Sequence, residues 1–390
     1  MYHHSNTPYD QALQAAKVKL EEQMHAKVGS AKRVLDKVMN QTPVDRVIGT
    51  PGLRFSYRME GAPPAIDPKH QLPPKAVILM GTKAHNVKGA FQEPLHKHAL
   101  DQAAERAGIP VTFVNRMLER PYGAELLVEN FNTIFAKEEP SRFLVRSVDE
   151  QVRGVLSDTY RRMDSRPILE AFAQTCQELG AQPIEGVGGD LRFALKAIVP
   201  QVYMVGKKAG NGEVFAFGAS LSNSDFGCGA LALQFFLWRI WCSNTATRED
   251  SLRRVHLGKR LADDIVYSEE TYQADTKTMV GMVKDHVKGV LAAPKIEEAL
   301  GMIETALDTT VEPKKFFDKN GGLEKLKLTK SEIEAAREAF NNGGVTELPR
   351  GTNLCRMSNA VSWIAQSAES AERRLELERV AGQIMEKKAA

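Results

Sequence analysis

Arginines and lysines are the side chains of this sequence best placed to act together. Six arginines fall between Arg142 and Arg166, namely Arg142, Arg146, Arg153, Arg161, Arg162 and Arg166. Lys207 and Lys208 follow beside an Asn-Gly pair, and Arg248, Arg253, Arg254, Lys259 and Arg260 come after a long apolar run. Guanidinium forks match phosphate oxygens, and aromatic faces stack on unpaired bases. Tyr160, Phe193, Tyr203, Phe215 and Phe217 lie close by in sequence. One reading is a phosphate-binding groove built from Arg153, Arg161, Arg162, Lys207, Lys208, Arg253, Arg254 and Arg260. The other is a solvated surface, because acids are interspersed and periodicity puts most of these aromatics in the core. Net charge is only +3, so any nucleic-acid surface must be a local concentration of cations.

Other chemistries leave weaker traces. No Gly-x-x-x-x-Gly-Lys-Ser/Thr loop occurs, and "GVGGD" (Gly186 to Asp190) reads as a turn. His96 and His98 sit two apart on an expected helix, where they diverge by about 200°. Cys228, Cys242 and His256 are too widely spaced to signal zinc. The four cysteines, Cys176, Cys228, Cys242 and Cys355, form no CxxC pair, which suits reduced thiols. No Gly-x-Ser-x-Gly elbow is present. Asp149-Glu150 and Asp263-Asp264 point apart on regular structure, and Ser224-Asp225 suits a side-chain-stabilised turn. No metal, cofactor or catalytic constellation is expected from local spacing. An enzyme with dispersed residues stays open, since such a site leaves no local signature.

The positioning elements read as α+β. Asp10 to Met39 forms an amphipathic helix, "DRVIGTPGLRFSYRMEG" leans to strand, and "APPAIDPKHQLPPK" is too proline-rich for regular structure. "AVILMGT" is a buried strand, and Glu93 to Gly108 a helix stopped by its glycine. "FLVRSVDEQVRGVLS" holds two short strands, and "RPILEAFAQTCQELG" is a helix between Pro167 and Gly180. Three strands follow, the last being the greasy run. Its Leu231, Leu233, Phe235 and Leu237 face one side, and Phe236, Trp238 and Ile240 the other, so it is a central strand covered on both faces. After Ser243 the period changes to helical. "SLRRVHLGKRLADDIV" would put Arg253, His256 and Arg260 on one helix face. Thr329 and Glu332 have capping-box spacing.

The expected architecture is therefore an antiparallel sheet around a central strand at about 230–242, flanked by helices, with a helical C-terminal region. Three segments are expected: an N-terminal helix and proline-rich segment (1–75), an α+β core (76–265) and a helical region (266–390). Hydrophobic content of 43% and charged content of 26% suit a globular protein. The polar N-terminus, and no run near the ~18 apolar residues of a membrane span, suggest a soluble, intracellular chain.

Four stretches carry a family resemblance. They are "FQEPLHKHALDQAAERAGIPVTFVNRMLERPYGAELLVENFNTIFAK", "RFLVRSVDEQVRGVLSDTYRRMDSRPIL", the Ser222–Asn244 run with its glycine turn, and "GTNLCRMSNAVSWIAQSAESAERRLELERVAGQIM". Together they resemble the phage/plasmid-like protein family of bacteriophages, prophages and plasmids, "RGVLSDTYRRMD" being the most specific piece. The resemblance implies a mobile-element protein in a bacterial cytoplasm, serving DNA metabolism. A helix, a three-stranded antiparallel meander and a long helix, in that order from Pro167 to Ile265, are also similar to the RecT and Erf kinds of single-strand annealing protein, which hold one strand along a basic groove in rings or filaments. The implied partners are single-stranded DNA, further copies of the chain, and host or phage replication and recombination proteins, with no membrane and no cofactor. Two alternatives stand beside this: a protein-binding accessory or anti-defence factor, and a nucleic-acid enzyme with a dispersed metal site.

Overall fold

A computed structural model describes residues 8–60, 75–83, 89–139, 141–206, 213–241, 244–256, 267–318, 321–342 and 348–386. The chain opens with α1 (Pro8–Asn40), then β1 (Val44–Gly49), β2 (Leu53–Glu60), β3 (Lys75–Thr82) and β4 (Gln92–Pro94). Next come α2 (Lys97–Arg106), α3 (Val111–Leu118), α4 (Gly123–Lys137), β5 (Arg142–Val148), β6 (Gln151–Ser157) and α5 (Ser165–Glu178). The run of strands β7 (Gln182–Gly188), β8 (Phe193–Ile198), β9 (Tyr203–Val205), β10 (Glu213–Asn223), β11 (Leu231–Arg239) and β12 (Asn244–Arg254) follows. The rest is helical: α6 (Glu269–Val290), α7 (Ala293–Asp308), α8 (Pro313–Phe317), α9 (Gly322–Lys325), α10 (Lys330–Asn341), α11 (Leu354–Ala365) and α12 (Ala371–Met385).

The main sheet is antiparallel, in the order β12-β11-β10-β8-β7, with β9 on β10. Every residue of β10 and β11 is buried. Leu195, Phe217, Leu233, Phe235 and Leu237 share one core with Ile168 and Phe172 of α5 and Met279 and Val283 of α6. Ile198, Ala216, Phe236 and Trp238 share another with Ala16 and Leu20 of α1. The two-sided apolar pattern of β11 thus corresponds to a sheet with helices on both faces. A smaller unit packs β2-β3-β4 and β1-β5-β6 around α2 to α4, with Phe55 stacked 4.8 Å from Phe131.

Local chemistry accounts for several boundaries. Asp149 and Glu150, the adjacent acids, form the two-residue turn of the β5–β6 hairpin with φ of 52° and 56°, as a type I′ turn requires. Gly108 and Gly180 close their helices at φ of 65° and 73°. Thr329 and Glu332 make the reciprocal capping box of α10. Gly186 lets α1 lie directly on β7: a Cβ there would stand 2.5 Å from Ser30 O.

Where a helix is expected after Ser243, Asn244–Arg254 is strand β12, and residues 257–266 of that stretch lie outside the described residues. It pairs with β11 from Leu231↔Arg254 to Arg239↔Asn244, with irregularities around Gln234. Without it, one whole edge of the buried β11 would present unpaired backbone groups, a penalty that overrides the 3.6-residue pattern. Arg253 and Arg254, at successive strand positions, point to opposite faces. β1 and β2 pair with β5 and β3, and α6 joins the core on the main sheet. The proline-rich stretch at 61–74, Cys242 and Ser243 lie outside the described residues.

Candidate functional site

Of the five expected groove cations among the described residues, three meet carboxylates. Arg161 grips Asp275 of α6 with two nitrogens, Nε lying 2.7 Å from Oδ2. Arg162 places Nε 2.8 Å from Asp45 Oδ2 and stacks 3.8 Å over the Tyr272 ring. Arg153 is buried, its nitrogens 3.4 Å from Asp190 O and 3.4 Å from Asp149 Oδ2. Arg253 and Arg254 are exposed on β12. Lys207, Lys208 and Arg260 lie outside the described residues. Tyr160, Phe193, Phe215 and Phe217 are buried, so none offers an open face to a base.

A buried polar network sits where the "SDTYRRMD" segment meets the β10–β11 turn. Arg146, 1% exposed, donates from Nε to Asp45 (2.7 Å), from Nη2 to Asp164 (2.5 Å) and from Nη1 to Asp225 O (3.1 Å). Burial lowers its pKa, but Asp45, Asp164 and Asp225 more than reverse this and raise it. Asn223 Nδ2 donates to Met163 O (2.9 Å) and Ser165 Oγ (3.1 Å). His256 lies 2.9 Å from Asn223 Oδ1 and 2.8 Å from Arg161 O, stacked on Tyr160. Burial lowers it to about 4.

Beside this network a cleft of about 320 Å³ opens between α1, the β7–β8 turn and residues Asn223–Phe226. Ser224 shapes one wall: its Oγ donates to Leu191 O (2.7 Å) and accepts from Phe226 N (3.2 Å) and Cys228 N (3.0 Å). Arg33, Lys37 and Arg192 bring three cations to the lining, and Lys37 pairs with Asp190 at 2.5 Å. Arg192 Nη2 is 3.5 Å from Ser222 Oγ, and its Nε is buried without a partner. Burial and the charge of Arg379 lower its pKa. Asp190 and Asp225 share this lining, so the three cations leave an excess of one positive charge, which suits an anion.

Asp225 also lines the cleft, half-buried, its Oδ1 accepting from Ser165 N (2.9 Å) and Oγ (2.8 Å). Burial pushes its carboxyl up to about 6 despite Arg146. A pKa raised on folding means stability is fullest below the unfolded value and declines as pH rises through about 6. Asp225→Asn, which keeps an acceptor oxygen, is therefore expected to exceed the native protein by about 1–2 kcal/mol at pH 8, the gap closing toward pH ~4. Urea denaturation at both pH values measures it. An acid retained in a cleft against the stability of the fold is the pattern of a functional group.

A cysteine–histidine nucleophile is not built here. His98 Nε2 lies 2.9 Å from Phe226 O and 3.2 Å from Cys228 Sγ. A carbonyl only accepts, so Nε2 carries the proton and has no lone pair for the thiol. Burial, with Glu372 adding, pushes that thiol up to about 11. Among the described residues no group of three or more His, Cys, Asp or Glu side chains is placed to hold a metal ion, and no helix is long and apolar enough to cross a membrane.

Gly186–Asp190, expected as a turn, is strand β7 up to Gly188 and leaves it only at Gly189 and Asp190, because Gly186–Gly188 pair with Phe193–Leu195; Ser224-Asp225 is a turn as expected, and both segments wall the cleft. The third wall, on α1, comes from residues 30–41, and no local signal ties three such distant segments together. Comparisons of this chain with protein-family models, curated proteins and solved structures give no match.

Proposed function

We propose that this chain is a single-stranded-DNA-binding protein of a mobile element, acting in recombination or replication in the bacterial cytoplasm, with strand annealing by a ring or filament of copies as its specific form. The observation that carries this reading is the order of elements around the main sheet: helix α5, antiparallel strands β7 to β12, then the 22-residue helix α6. The annealing proteins are expected to carry three strands where this sheet has six, so the likeness is one of element order alone. Of the expected phosphate contacts, Arg253 and Arg254 are exposed on opposite faces of β12, whereas Asp275 and Asp45 offset the charges of Arg161 and Arg162.

Fluorescence anisotropy on a labelled single strand and its duplex, at several salt concentrations, tests the reading. Preference for the single strand is expected, with log K falling by about 0.7 per phosphate contact for each unit of log salt. Arg253→Ala/Arg254→Ala should flatten that slope. No binding to either probe at low salt would refute the proposal.

A further inference from the structure

We propose that the cleft between α1, the β7–β8 turn and the Ser224 turn seats one nucleotide unit of the bound strand, its phosphate held by Arg192 and Arg33. The strand as ligand rests on the single-strand reading above; the anion chemistry of the cleft stands without it.

The volume, about 320 Å³, lies at the small end of the ~300–1,000 Å³ typical of ligand sites. It suits one monomer and excludes a base pair, which gives single-strand preference a steric cause. Arg192 supplies the anion chemistry. Its Nη2 makes one long contact with Ser222 Oγ, its Nε is buried beyond a ligand's reach, and its neighbours are Arg379 together with Glu372 and Glu376 beyond ion-pair distance. Among the described residues no carboxylate lies within 4.0 Å of Arg192 or Arg33, whereas Lys37 is already held by Asp190. A phosphate would therefore satisfy donors that the fold leaves short of acceptors. The remaining walls are not those of a bare phosphate site. Val34, Val38 and Phe226 offer apolar surface to a sugar or base. Asp225 would repel a second phosphate and fix which end of the nucleotide faces the arginines.

Two variants and three probes test this: Arg192→Gln and Val38→Trp, against an oligothymidylate, thymidine 5′-monophosphate and inorganic phosphate. The native protein should bind the oligomer by anisotropy, and the monophosphate should raise its melting temperature more than inorganic phosphate does. Arg192→Gln should lower oligomer affinity about tenfold and abolish the monophosphate shift. Val38→Trp fills the cleft without removing charge, so it should weaken both; because Val38 also packs against the core, binding is read at a temperature where the free variant is folded. Native oligomer binding in both variants would overturn the inference and leave the single-strand reading intact. An equal response to inorganic phosphate and the monophosphate would overturn the nucleotide assignment. Monophosphate binding that depends on Arg192, with no oligomer binding, would overturn the strand as ligand and leave a free-nucleotide site.

Discussion

Replacing Arg146 by methionine is expected to lower stability by about 3–5 kcal/mol, the usual loss when a buried ionic group is removed and its partners stay behind. Its guanidinium is 1% exposed and joins Asp45 of β1, Asp164 before α5 and the Asp225 carbonyl of the β10–β11 turn. Three carboxylates, of Asp45, Asp164 and Asp225, then share one region, with Arg162 still reaching Asp45. Size-matched methionine keeps most of the packing, so the deficit reports charge. The sign with pH follows. Without the cation these carboxyls are harder to ionise in the folded chain, so the variant should regain stability as pH falls through the carboxylate range. Urea denaturation at pH 8 and pH 5 measures both effects, and a loss below about 1 kcal/mol at pH 8 would show that the acids find other partners. Because Arg146 lies on β5 and Asp225 lines the cleft, the same variant should also weaken nucleotide binding.

What the sequence conveyed about the fold was what short-range periodicity and capping can carry. The alternation along Leu231–Trp238 placed a strand between two helical layers, and Thr329 with Glu332 announced α10. The same local reasoning misassigned Asn244–Arg254. There the deciding quantity is the demand of β11 for a second neighbour, which belongs to the sheet and not to the segment. Charge pairing was equally hidden. Arg161 meets Asp275 across 114 residues, and Arg146 meets Asp45 across 101, so a cluster of arginines in sequence says little about free positive charge in space. Arg192 shows the converse. It stands alone in sequence after a glycine-rich turn, yet it lines the cleft with no carboxylate within 4.0 Å among the described residues.

Lys196→Met is the second large loss expected, again about 3–5 kcal/mol. The ammonium is fully buried, 3.1 Å from Glu185 and 2.7 Å from both oxygens of Glu378. Arg374 and Lys27 complete the network, at 2.6 Å and 3.2 Å from Glu185. Burial alone would raise the Glu185 carboxyl, but Lys196, Arg374 and Lys27 together hold it well below the usual carboxylate range. A depressed folded pKa gives stability that is present above the ordinary glutamate value and lost as pH falls through the folded one. The gap between native protein and variant should therefore be widest near neutrality and close in acid. A double variant, Lys196→Met/Glu378→Met, separates charge from packing. Removing both members of a buried pair is often neutral, whereas removing one strands the other. Recovery of most of the loss in the double variant is the expected result; a double variant as unstable as the single one would assign the defect to packing. The network also explains why the chain's last helix belongs to the core. Glu378 on α12 and Lys27 on α1 converge on neighbouring strands β7 and β8, so the helix that walls the cleft and the C-terminal helix are held by the same buried charges. Breaking them should loosen α1 and, with it, the placement of Arg33 and Lys37.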